Sequence, residues 1–133
     1  MATLRDIENS LPSGFHDARV HSWELSFAGR TASFELELSV GDPDSSDPAE
    51  RDRYRPGTLR FDGLAVCELD ASHPIPTLLT GAPLWIDLVQ HDGDLLADRD
   101  LPPELFRACF FVQTWNTSVL IAARHAEFSW RPI

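Results

Sequence analysis

The sequence predicts a mainly β protein: a strongly curled antiparallel sheet of about six strands, a half-barrel or small sandwich, with a short N-terminal helix. Three observations lead there. From Thr31 to Val40, Ala32, Phe34, Leu36, Leu38 and Val40 alternate with Thr31, Ser33, Glu35, Glu37 and Ser39. That period of two marks a strand with one buried and one wet face, the pattern of an antiparallel sheet. Two extended runs change phase in mid-course, near Val20–His21 and at Gly63. Such breaks are where bulges bend strands and curl sheets. The stretch from Phe106 to Trp130 is rich in aromatic and β-branched residues, which favours strand over helix.

In chain order, residues 3–11 form the predicted helix. Thr3 caps it, Asp6 completes a Thr-x-x-Asp capping box, and Leu4, Ile7 and Leu11 share a face. Pro12-Ser13-Gly14 stops it. Strands over 18–27 and 31–40, joined by Ala28-Gly29-Arg30, make a hairpin. Residues 41–56 carry Pro43, Pro48 and Pro56 among acids and arginines, with no aliphatic side chain larger than Ala49. That composition predicts a long, mobile, solvated loop, whose acids come first and can pair with the arginines that follow. A strand follows over 58–69, broken at Gly63, and another over 84–89. Asp92-Gly93 reads as a hairpin turn. Residues 106–115 and 118–130, separated by Asn116-Thr117, read as a long closing hairpin.

A chain of 133 residues suits one domain with one core. No apolar run is long enough to span a membrane. The opening Met-Ala-Thr-Leu-Arg-Asp-Ile-Glu lacks the apolar core of a signal peptide, so the cytoplasm is the expected location. Cys67 and Cys109 lie apart in apolar runs and read as buried reduced thiols. The net charge is −10, and every basic residue is Arg. Such a surface repels phosphate backbones and anionic lipid, which argues against nucleic-acid and membrane partners. It would attract and steer a cationic protein, while the plainer reading is that the charge only keeps the protein in solution.

No nucleophile elbow, phosphate-binding glycine loop or paired-cysteine motif is present. No catalytic residue, metal ligand set or cofactor is therefore expected. The one candidate reactive cluster is His16, Asp17 and His21, an acid–base pair or a metal site. On a regular strand, positions 16 and 21 point to opposite faces, so they converge only across a bulge. The competing reading pairs Asp17 with an arginine such as Arg19. His73 and His91 read as isolated surface residues, and His125 as a strand-edge residue. Asp92, Asp94, Asp98 and Asp100 lack the order of a calcium loop.

Phe-His-Asp-Ala-Arg-Val (15–20), the alternating strand, Thr-Leu-Arg-Phe-Asp-Gly-Leu (58–64) and the closing aromatic hairpin resemble a group of small bacterial domains of unknown function. Some of these are described as immunity proteins of polymorphic toxin systems. The resemblance covers most of the chain from residue 15 onward, and relative to it the loop at 41–56 looks like an insertion. It implies a curled β domain without catalytic residues. Combined with the charge, the expected activity is non-enzymatic binding of a cationic toxin through Asp42, Asp44, Asp47, Asp92, Asp94, Asp98 and Asp100. Two alternatives are a small metal-binding protein or hydrolase using His16, Asp17 and His21, and a half-barrel holding an apolar ligand among Phe and Trp side chains. The sequence does not fix the oligomeric state.

Overall fold

The computed structural model describes residues 2–70, 81–91 and 94–132. Helix α1 spans Leu4–Ser10. Both halves of its capping box form: Thr3 Oγ1 accepts from the Asp6 amide, and Asp6 accepts from the Thr3 amide at 2.9 Å. Leu4 and Ile7 are buried beneath it.

The hairpin follows as β1 (Arg19–Ser26) and β2 (Thr31–Ser39). The β1–β2 register slips between Val20 and Ser22, so the phase change in the sequence is a β-bulge. In β2 the alternate residues Ala32, Phe34, Leu36 and Leu38 are all buried, as their periodicity requires. The next segment differs from the predicted open loop at both levels. It contains one short helix, α2 (Pro48–Arg51), and its last residues already belong to β3 (Tyr54–Asp62). Tyr54 to Pro56 pair with Ser39 to Glu37, because the β2 ladder continues through polar residues that carry no apolar alternation.

The remaining strands are β4 (Val66–Leu69), β5 (Leu84–His91), β6 (Phe106–Val112), β7 (Thr117–Ala123) and β8 (His125–Trp130). A 3-10 turn, Gln113–Trp115, joins β6 to β7 and closes on Asn116 in the left-handed conformation. The strand order is β4-β7-β6-β5-β1-β2-β3-β8, with every pairing antiparallel. Among the described residues, eight strands replace the expected six because both long runs are cut. Residues 58–69 divide at Gly63, and 118–130 divide at Arg124. The two cuts face each other: β3 pairs with β8, β4 pairs with β7, and the Arg124 amide donates to the carbonyls of Asp62 and Gly63. A single two-stranded ribbon thus bends once and supplies both ends of the sheet.

That bend folds the sheet over its own apolar face. Phe34 on β2 and Phe61 on β3 meet Phe110 on β6 edge to face, at 5.9 and 6.2 Å between ring centroids, although these strands are not neighbours in the ladder. Phe15 closes the same cluster from the turn before β1. Each fully buried ring contributes about 1.5–3 kcal/mol by leaving water. Ala126 on β8 donates its amide to the carbonyl of Ala2, so the N-terminal segment shields that edge strand. Among the described residues no helix is long and apolar enough to cross a membrane.

Candidate functional site

The acids named from the sequence fall on two built loops. In the first, Gly41 leaves β2 with the backbone of Glu50 and Arg51 packed against it. A Cβ at Gly41 would stand 2.2 Å from the Arg51 carbonyl oxygen. The Asp42 amide donates to the Glu50 carbonyl, Asp42 Oδ1 accepts from the Asp44 amide, and Asp47 Oδ1 accepts from the Ala49 amide as the N-cap of α2. Short polar side chains that satisfy local amides make such turns rigid. Arg51 contacts Asp52 and Arg53 contacts Glu50, so part of the charge is answered within the loop. Asp42, Asp44 and Asp47 remain exposed.

The second loop, 94–105, is pinned by Leu96 and Leu105, which bury against Ala122 with Val66 and Leu120 beside it. It therefore lies across the outer face of β4 and β7. Asp94, Asp98 and Asp100 are exposed on it, and Arg99 reaches back to Glu68 at 2.6 Å. Asp92 and the expected turn at Asp92-Gly93 lie outside the described residues, as does His73.

The histidine cluster takes a different form from the one the sequence suggests. Asp17 adopts φ 61 and its amide donates to the Ile86 carbonyl, which turns its carboxylate onto His16. His16 Nδ1 lies 3.2 Å from Asp17, while Nε2 lies 3.7 Å from Asp87 on β5. His21 instead pairs with Glu37 at 3.0 Å, across the β1–β2 ladder. The structure thus brings together His16, Asp17 and Asp87, and leaves His21 apart. The two carboxylates address opposite nitrogens of one imidazole, so they do not converge with it on a single ion. His16 is also 65% exposed, which leaves water free to screen the pair. Asp87 had no signal in the sequence; it reads there as one polar position within an apolar strand.

Arg19, the partner expected for Asp17, does other work. Its guanidinium lies 3.9 Å from the Tyr54 ring centroid and 4.6 Å from that of Trp85. His91 is not an isolated surface residue. It is mostly buried and sits 2.9 Å from Glu8, and Arg5 donates to its carbonyl, tying α1 to β5. Only Asp62, His125 and Glu127 hold potential ligand atoms within 4.8 Å of one another among the described residues. Arg60 already occupies that carboxylate, contacting Asp62 at 3.0 Å. Among the described residues, the space between Val20, Trp23, Phe34 and Phe110 is about 20 Å³, room for no more than a water molecule.

No family model and no curated protein matches the sequence. A crystal structure of an uncharacterized protein from Neisseria gonorrhoeae shares the fold. Its TM-score is 0.51 at 14% sequence identity, over 90% of this chain and 94% of that one.

Proposed function

We propose that this protein is a non-enzymatic binding protein that receives a cationic protein partner on its acidic loops, as an immunity protein receives a basic toxin. The observation that carries the reading is the architecture of the 41–53 loop. Asp42 and Asp47 each hold a turn through one carboxylate oxygen, and Asp42, Asp44 and Asp47 are all exposed on the scaffold so formed. A preorganised negative surface on a chain of net charge −10 gains association rate without an ordering cost on binding. The space of about 20 Å³ among Val20, Trp23, Phe34 and Phe110 is too small for an apolar ligand, and the carboxylates on opposite nitrogens of His16 do not favour a shared metal.

The experiment takes the basic proteins encoded beside this chain's own gene and measures association by stopped flow. The rate constant should fall about tenfold or more between ~0.02 M and ~0.3 M salt. Asp42→Asn, Asp44→Asn and Asp47→Asn together should lower the low-salt rate and flatten that dependence. A rate indifferent to salt, or to these three substitutions, overturns the reading.

A further inference from the structure

The opposite end of the charge scale holds a second feature, which does not rest on the partner-binding proposal. Arg51, Arg53, Arg60, Arg99 and Arg131 form ion pairs, and Arg5 and Arg30 donate to backbone carbonyls. Arg55 on β3 does neither among the described residues. Its Nε is buried without a hydrogen-bond partner, and its guanidinium lies 4.8 Å from the Trp130 ring centroid. Arg19 shares the orphaned Nε but is enclosed between two rings. Arg55 has one ring and an open groove.

That groove of about 970 Å³ lies where the end of α1, the end of β2, the start of β3 and the end of β8 meet. Leu11, Val40, Tyr54, Phe128 and Trp130 line it together with Arg55 and with Arg53, whose guanidinium already lies 3.7 Å from Glu50. Apolar and aromatic walls with a small number of well-placed polar groups are the usual make-up of a small-molecule site. A partly desolvated guanidinium without an anion is costly, and the rigid fork of Arg matches a carboxylate. The chain's charge of −10 penalises a dianion more than a monoanion. We propose that the groove binds a small monocarboxylate carried on an aromatic body, with the carboxylate on Arg55 and the ring against Trp130 and Phe128.

The probe is 2-naphthoate, with 2-naphthamide as its uncharged counterpart, followed by NMR of the four tryptophan indole protons. Naphthoate should shift Trp130 saturably and bind about tenfold more tightly than the amide. Arg55→Met keeps the apolar stem and should bring the affinity for the acid down to that for the amide. Equal affinity of acid and amide for the unsubstituted protein overturns the proposal, as does a response centred on Trp85 or no saturable response. The acid–amide comparison decides the matter even where Arg55→Met fails to fold.

Discussion

Single side chains decide where protons sit in this molecule. Burial pushes the Cys67 thiol up to about 11, and neighbouring Glu68 adds to the rise while the Trp23 indole opposes it. A thiol raised from 9.0 in this way favours folding fully below that value, and the contribution fades as pH climbs toward about 11. Native Cys67 should therefore alkylate far more slowly with iodoacetamide at pH 8 than the unfolded chain does, gaining rate only well above pH 9. Equal rates for the native and urea-unfolded thiol would contradict this. Asp6 is displaced in the other direction, held below the usual carboxylate range by the Thr3 amide and hydroxyl. Its contribution is present above 3.8 and disappears as acid protonates it. The sequence made the capping box legible because all its parts lie within four residues. It could not reveal the His16–Asp87 contact or the Glu8–His91 pair, since those separations are set by the sheet ladder and not by local spacing.

At the scale of elements, the bend at Gly63 carries the most weight. Gly63 has φ +63, and a Cβ there would lie 2.7 Å from the Arg124 Cβ on the facing strand. Gly63→Ala therefore meets both backbone strain and a clash, and should cost about 1–3 kcal/mol in urea denaturation. A variant as stable as the parent would mean that the ribbon does not turn there. The phase change at Gly63 was readable, because Leu59 and Phe61 occupy one parity and Leu64 and Val66 the other. The matching break at Arg124 was not: Ile121, Ala122 and Ala123 are all buried, so no alternation existed to be interrupted. The early start of β3 escaped for a similar reason. Tyr54-Arg55-Pro56 looks like loop, yet Arg55 is held by the Trp130 ring and Tyr54 by Arg19.

Across the whole molecule, class and curvature followed from periodicity, while connectivity depended on pairings that no single stretch encodes. The outermost strands in the ladder, β4 and β8, are continuations of β3 and β7 around one corner. Neither layer of the sheet owns its boundary, because each borrows it from a ribbon that the other also uses. A layer cannot melt while its neighbour stays intact, since losing either half releases the shared corner. Calorimetry should show one transition whose van't Hoff and calorimetric enthalpies agree, and two resolved peaks would refute that coupling. For the same reason, a chain severed within residues 63–65 should yield no stable half. It should regain structure only when the pieces are mixed, which makes this corner the natural seam for a split reporter.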